Sequence, residues 1–274
     1  MNSTKALVTG HMGFIGARLA SELKRMEIET VGLEKDMLTS PDWEINVRAF
    51  LEYQNPDVIF HVGACADTLE SNVQSIMIEN FESTKVLSDW AKSRKIPFVF
   101  SSSAANYGTN GKHPSNLYGW SKYVAEQYVI AHGGIALRYF NVFGPGEDHK
   151  GNMASFVYQA DRKARAGSSI QLFPGRPRRD FVFIDDVIQA NVHAYKNFTT
   201  LGGRFYEVGS GEARPFEDML EIFQIPYTYA DASAIPSGYQ FFTQSNRENW
   251  MPGWEPNHNI ETGLELYSQY LTEK

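Results

Sequence analysis

Thr9-Gly10-His11-Met12-Gly13-Phe14-Ile15-Gly16 sets glycines three apart, directly after the apolar run Ala6–Thr9 and directly before a helical pattern, Phe14–Met26. Small residues at this spacing allow a tight turn, close backbone approach to a pyrophosphate and close packing of helix on strand, with the helix N-terminus facing the negative charge. The turn therefore predicts a βα unit that binds a dinucleotide. Glu34, after the next apolar run Thr30–Leu33, is placed to accept hydrogen bonds from a ribose 2′- and 3′-hydroxyl. Lys35 beside it can reach a 2′-phosphate instead, so NAD and NADP both stay open. The candidate cofactor contacts are Gly10, Met12, Gly13, Phe14, Ile15, Gly16, Glu34, Lys35, Asn46, Val47, Val62, Gly63, Ala64 and Cys65.

Apolar runs rich in Val, Ile and Phe continue to alternate with helix-like stretches, as repeated βα units around a parallel sheet require. Strands are expected at Val58–Val62, Phe98–Ser101, Ile135–Tyr139, Phe181–Ile184 and Phe205–Val208, with a weaker one at Glu44–Val47. Helices are expected at Ser75–Lys92, Tyr118–His132, Asp186–Lys196 with Asp185 as N-cap, and Ile260–Leu271. Beyond Asn141, Gly144-Pro145-Gly146 and Pro174-Gly175-Arg176-Pro177 break the alternation and suit binding loops. The fold class is α/β: a Rossmann-type doubly wound parallel sheet with a small C-terminal α/β substrate-binding domain. Residues 1–141 and about 178–210 form the dinucleotide-binding domain, and about 142–177 with 211–274 the substrate-binding one.

The 274 residues carry 25 Lys and Arg against 32 Asp and Glu, a net charge of −7 that argues against a phosphate-backbone partner. Cys65 is the one cysteine, so an internal disulfide is impossible and a reducing compartment is expected. No apolar stretch is long enough to span a bilayer, and the early strand leaves no room for a signal peptide. A cytoplasmic protein is expected, with no nucleic-acid or membrane partner and no metal.

Ser101-Ser102-Ser103 ends one expected strand, and Tyr118-Gly119-Trp120-Ser121-Lys122 opens the following helix. Tyr and Lys four apart share a helix face, so an ammonium can lower the pKa of a phenol while a serine hydroxyl binds the reacting oxygen. This combination suits hydride transfer.

With these residues the chain resembles the extended short-chain dehydrogenase/reductases that act on nucleotide sugars. The resemblance implies Tyr118 as acid/base, Lys122 orienting the nicotinamide ribose, Ser103 nearest the substrate, and Asn80 near the cofactor. It also implies NADP or NAD bound tightly, one per subunit. Where the dehydratases of that family carry an Asp-Glu pair, this chain has Ala104 and Ala105, so elimination lacks its proton donor. Synthases that place a catalytic cysteine at Ala104 are disfavoured in the same way.

Further blocks resemble the branch that epimerises an ADP-linked glycero-manno-heptose at C6″: His61-Val62-Gly63-Ala64-Cys65, Asn141-Val142-Phe143-Gly144-Pro145, His149-Lys150-Gly151-Asn152-Met153-Ala154-Ser155, Leu172-Phe173-Pro174-Gly175, Arg179-Asp180-Phe181-Val182 and Gly238-Tyr239-Gln240-Phe241-Phe242-Thr243-Gln244. That branch oxidises the exocyclic carbon and returns the hydride to the opposite face, which needs proton transfer from two directions. The resemblance assigns Lys150 as the second acid/base and Arg179 to the diphosphate. Asn141, Asn152, Gln159, Phe173, Gly175 and Tyr239 fall at its other substrate-binding positions. Asn152 stands where that branch has serine and Gln159 where it has histidine, so base and sugar stay open. Another hexose epimerase, acting for example at C4, or a nucleotide-sugar reductase would share the Ser103, Tyr118 and Lys122 site. The family pairs subunits through helices here at Ser75–Lys92 and Tyr118–His132, so a homodimer or higher homo-oligomer is expected, with Val86, Leu87, Trp90, Val124, Tyr128 and Val129 as its apolar surface.

Overall fold

β1 (Lys5–Thr9) runs into the glycine turn and α1 (Phe14–Arg25), which buries Phe14, Gly16, Leu19 and Leu23 on one face. Lys24 and Arg25 in its last turn complement the helix dipole. The computed structural model describes residues 3–109, 111–236 and 239–273; Gly238, and the side chain of Asn152, lie outside the described residues. The chain continues through β2 (Glu29–Leu33), α2 (Trp43–Gln54), β3 (Val58–His61), α3 (Val73–Met77) and α4 (Ser83–Arg94). β4 (Phe98–Ser103), α5 (Leu117–Ala131) and β5 (Ile135–Tyr139) follow. After them come β6 (Asn141–Phe143), α6 (Phe156–Arg165), β7 (Ile170–Leu172), β8 (Arg178–Phe183), α7 (Ile184–Lys196) and α8 (Phe198–Leu201). The last elements are β9 (Arg204–Val208), β10 (Ala213–Pro215), α9 (Phe216–Ile222), β11 (Tyr227–Tyr229) and α10 (Ile260–Thr272).

Six strands form the main sheet in the order β2-β1-β3-β4-β5-β9, all parallel. The direction of winding reverses between β1 and β3, and such switch points open a crevice at the carboxyl ends of the strands. One apolar cluster packs α1 and α7 against one face, and a second packs α2, α4 and α5 against the other. The doubly wound α/β class is as expected.

The expected strand at Glu44–Val47 is instead part of α2. Val47 and Leu51 are its buried residues and lie four apart, with Trp43 and Phe50 packed beside them, so the apolar period is helical. β2 accordingly ends the sheet. The Phe181–Ile184 run is a strand, β8, but it belongs to a separate three-stranded sheet, β10-β8-β6. Asp185 is not a cap: α7 begins at Ile184 after Phe183, and Asp185 in its first turn forms a bidentate pair with Arg18 of α1. Ser75–Lys92 is helical with an interruption, a π-helical turn at Ile78–Glu82 joining α3 to α4. Of the apolar residues expected to face a second subunit, Val86, Leu87, Trp90 and Val129 are buried within this chain, and Val124 and Tyr128 are half-buried.

β8 is held by a buried carboxylate. Asp180 accepts hydrogen bonds from the amides of Ser210, Gly211 and Ser245 and from the hydroxyls of Ser210 and Ser245, at 2.6–3.0 Å. In Asp180→Ala the Ser210 hydroxyl and the Gly211 amide keep a second acceptor, in the Glu212 carbonyl and Ser245 Oγ, while the buried Ser245 amide and hydroxyl lose theirs, at about 1–3 kcal/mol for each buried donor that finds no water. The expected loss is on the order of 3–5 kcal/mol in urea unfolding; a loss below about 1 kcal/mol would show that the turn is held by its other contacts.

Candidate active site

The glycine turn lies at the crevice between β1 and β3. Gly10 has φ +62°, and a Cβ there would stand 2.8 Å from Gly63 Cα. A Cβ on Gly16 would stand 2.0 Å from the Gly10 carbonyl oxygen. Only glycine fits either place. α1 begins at Phe14 without a side-chain cap and without an acidic residue in its first turn, leaving its N-terminal amides available to an anion. A cavity of about 470 Å³ opens there, within the usual range of cofactor sites. Of the expected contacts, Gly10, Gly13, Phe14, Ile15, Gly16, Glu34, Lys35, Val47, Val62, Gly63 and Ala64 line it. A nicotinamide dinucleotide fits this cradle.

Met12 and Asn46 are exposed and outside the cavity wall. Asn46 projects from α2, whose buried face carries Val47 instead. Cys65 also stands off the wall, but its backbone is held by Asn80: the Asn80 side chain accepts from the Cys65 amide (2.8 Å) and donates to the Cys65 carbonyl (3.0 Å) and to Ser121 Oγ (2.9 Å). Asn80, buried in the π-helical turn, thus joins the loop after β3 to α5. Such turns recur at functional sites because the extra residue redirects a side chain.

Sequence reasoning passed over three polar groups here, Glu79 and His61 in this wall and His11 beside it. His11 Nδ1 lies 2.5 Å from Glu34 Oε1, which also accepts from the Met12 amide at 3.0 Å. Glu79 pairs with Lys35 at 2.9 Å, and that carboxylate holds the lysine charged by raising its pKa. His61 is fully enclosed: Thr84 Oγ1 donates to the Asn80 carbonyl (2.8 Å) and so accepts from His61 Nε2, leaving Nδ1 to accept from Thr9 Oγ1 (2.7 Å). Burial, aided by the nearby Lys122 charge, pushes the His61 pKa down to about 3, so the ring is neutral. His61 heads the block His61-Val62-Gly63-Ala64-Cys65, a signal available in the sequence.

Glu34→Gln removes a negative charge from the end of β2 while keeping its volume. The ratio of NADP to NAD affinity is expected to rise about tenfold, the equivalent of about 1.4 kcal/mol. An unchanged ratio in titrations with both nucleotides would place the ribose elsewhere.

β4 and α5 bring the hydride-transfer candidates together. Tyr118 and Lys122 lie one turn apart on α5, whose N-cap Asn116 accepts from the Gly119 amide. The Ser103 hydroxyl, at the end of β4, lies near the Tyr118 phenol. Burial raises the phenol pKa, and the Ser103 hydroxyl works against that rise. Lys122 is buried with its ammonium 4.2 Å from the centre of the Phe100 ring, and makes no hydrogen bond or ion pair among the described residues. Burial pushes its pKa down to about 7, against the pull of Glu126. A buried cation aimed at no acceptor suits a ribose diol. A phenol near a hydroxyl, on the same helix as an ammonium one turn on, suits proton exchange with a hydroxyl or carbonyl oxygen.

Lys150 sits in a helical turn, Asp148–Met153, that is broken at Gly151, where φ is +54°. Its ammonium stands 5.1 Å from the centre of the Phe14 ring and lines the same cavity. Burial lowers its pKa, and the Glu147 charge opposes that shift. Glu147 anchors the turn, accepting from the Ser155 amide and hydroxyl and from Tyr267 of α10 at 2.9 Å.

On β8, Arg179 lies 5.3 Å from the centre of the Tyr239 ring, which meets Phe173 edge-on at 5.0 Å and Phe241 at 5.3 Å. Gly175, at φ +93°, makes room for Phe241. Asn141 pairs with Phe181 in the neighbouring strand, which puts it on the face of the small sheet that Arg179 shares. Gln159 donates to the Ala154 carbonyl at 2.7 Å and faces a separate hollow with Gly151 and Arg162. Arginine beside aromatic rings can hold a diphosphate and stack a base.

The signature of the NAD dependent epimerase/dehydratase family matches residues 6–209, and the chain belongs to that family. It is an enzyme class that uses NAD(P), and the cradle suits that cofactor. Among curated relatives, the chain is 32% identical to the ADP-L-glycero-D-manno-heptose-6-epimerase of Alkalilimnicola ehrlichii, over 95% of each chain. It is 29% identical to that of Brachyspira hyodysenteriae, over 97% of each. Among solved structures, the Helicobacter pylori ADP-L-glycero-D-manno-heptose-6-epimerase superposes with a TM-score of 0.85 at 28% identity, covering 99% of this chain and 97% of the other.

Proposed function

We propose that the chain inverts C6″ of an ADP-linked glycero-manno-heptose by transient oxidation and re-reduction with resident NAD(P), one per subunit. The observation that carries this reading is Lys150, a half-buried ammonium in the wall of the cofactor cavity, supplying a second acid/base beside Tyr118. The two curated relatives of that name, similar along nearly the whole chain, support it.

The nicotinamide, when bound, supplies reversible hydride acceptance. Tyr118 takes the proton of the C6″ hydroxyl while Ser103 holds the same oxygen, and Lys122 orients the ribose and lowers the phenol's pKa. After the sugar's exocyclic carbonyl turns its other face to the returning hydride, Lys150 delivers the proton to its oxygen from the opposite side; in the reverse reaction the two residues exchange roles. Arg179 binds the diphosphate, Phe173 and Tyr239 flank the base, and Asn141, Gly175 and Asn152 complete the substrate contacts, with Gln159 set apart in its own hollow. Asn80 positions the cofactor loop.

The same reading makes the enzyme a cytoplasmic homo-oligomer. Cys65 is unpaired, and no helix among the described residues is long and apolar enough to cross a membrane. Proton NMR of protein incubated without added cofactor, with ADP-D-glycero-D-manno-heptose or its GDP counterpart, tests the reaction. Appearance of the L-glycero epimer establishes the reaction, the base and the resident cofactor together. No change in either, with nicotinamide bound, would overturn the heptose and leave a hexose 4-epimerase.

A further inference from the structure

Glu126 lies on α5 four residues after Lys122 and eight after Tyr118, on the same side of the helix, and has no solvent exposure. Its carboxylate accepts from Ser102 Oγ (2.6 Å) and Asn106 Nδ2 (3.0 Å), which flank Ser103 in the chain. It also accepts two bonds from the Arg138 guanidinium on β5, at 2.8 and 2.5 Å. Arg138 is in turn enclosed between the rings of Phe205 (3.6 Å) and Tyr107 (4.8 Å). One carboxylate thus ties the helix bearing the tyrosine and lysine to the residues on either side of the serine, and to the strand beyond.

A buried ion pair is seldom needed for stability alone, since apolar residues of like size often serve as well. We propose that Glu126 is a positioning residue of the reaction: by holding Ser102 and Asn106 it fixes the end of β4 that carries Ser103 against the helix that carries Tyr118 and Lys122. The proposal rests on the reading of Tyr118 and Lys122 given above.

The groups facing Lys122 are few. Tyr118 and Glu126 share its helix, and the neutral His61 faces it from β3. Cys65, from the loop after β3, acts on Tyr118. Arg138 pairs with Glu126, and Tyr107 and Glu207 adjoin Arg138 in turn. Burial pushes Lys122 down and Glu126 alone among these raises it. Removing the carboxylate charge lowers the lysine pKa further, so the ammonium is lost at lower pH. Whatever needs that ammonium then fails earlier as pH rises.

The test compares wild type, Glu126→Gln, Glu126→Gln/Arg138→Gln and Tyr118→Phe, each purified with its bound nucleotide. Two readouts are followed from pH 6 to 9: conversion of ADP-D-glycero-D-manno-heptose, and retention of NAD through gel filtration. In both Glu126 variants the pH at which NAD retention fails is expected to fall by about one unit. In both, kcat is expected to fall on the order of 10²-fold with KM little changed, as misplacement of reacting groups produces. The double variant removes both charges and so guards against a single variant that does not fold. If it shows wild-type kcat and a wild-type pH limit for NAD retention, the pair serves folding only and the proposal is overturned. If Tyr118→Phe keeps its turnover, the reading of the site falls instead, while the retention limit still decides whether Glu126 acts on Lys122.

Discussion

Tyr118→Phe is expected to lower kcat by about 10³-fold while the protein keeps its fold and its nucleotide. The phenol hydroxyl is the only part of the side chain removed; the Ser103 oxygen still accepts from the Ala105 amide at 3.1 Å, and Ser103 is half-buried, so its hydroxyl can turn to water. Burial holds the phenol protonated at neutral pH. A nearby ammonium must therefore offset that burial before the oxygen can accept a proton, and phenylalanine abolishes the exchange altogether. The check is steady-state turnover alongside the nicotinamide content of the purified variant. Turnover within about threefold of wild type would remove Tyr118 from the chemistry.

Lys150→Ala separates two-sided proton transfer from simple substrate binding. Epimer formation is expected to fall by at least about 10²-fold at saturating substrate, with KM changed by less than about threefold and bound nucleotide unchanged. The ammonium rests on the Phe14 ring, where alanine leaves a small hollow and the Glu147 anchor of the turn is untouched. A rise in KM with kcat preserved would make Lys150 a binding group and favour a 4-epimerase, which needs no second base.

The parallel sheet and the cofactor cradle were readable because their causes are local. A glycine at φ +62° and an alternation of apolar runs with helices leave direct traces in residue order. Tyr118 and Lys122 are legible for the same reason, since a helix converts a spacing of four into a shared face. The Glu44–Val47 segment misled because four residues fit either period, and only Leu51, beyond them, completes the helical face. The separate sheet of β8 depends on pairing with β6 and β10, which no local pattern records. Glu126 and Arg138 lie twelve residues apart and meet only because α5 packs back over β5. Asp180 gathers donors from positions 30 and 65 residues onward. Buried polar knots of this kind are long-range by nature, and a single sequence carries no sign of them beyond the residue types.

Where the sheet ends also bears on how the protein behaves when crowded. With α2 in place of a further strand, β2 presents a row of unpaired backbone groups, the usual template for edge-to-edge aggregation. Its defences are modest: five residues only, a charged Glu29 at its start 3.5 Å from Lys5, and Gly32, whose missing side chain is the space filled by the His11 ring. Charge at the rim and brevity, rather than a covering element, keep neighbouring copies from zipping onto this edge, so that stickiness at high concentration is governed by Glu29 and Lys5 and grows with salt.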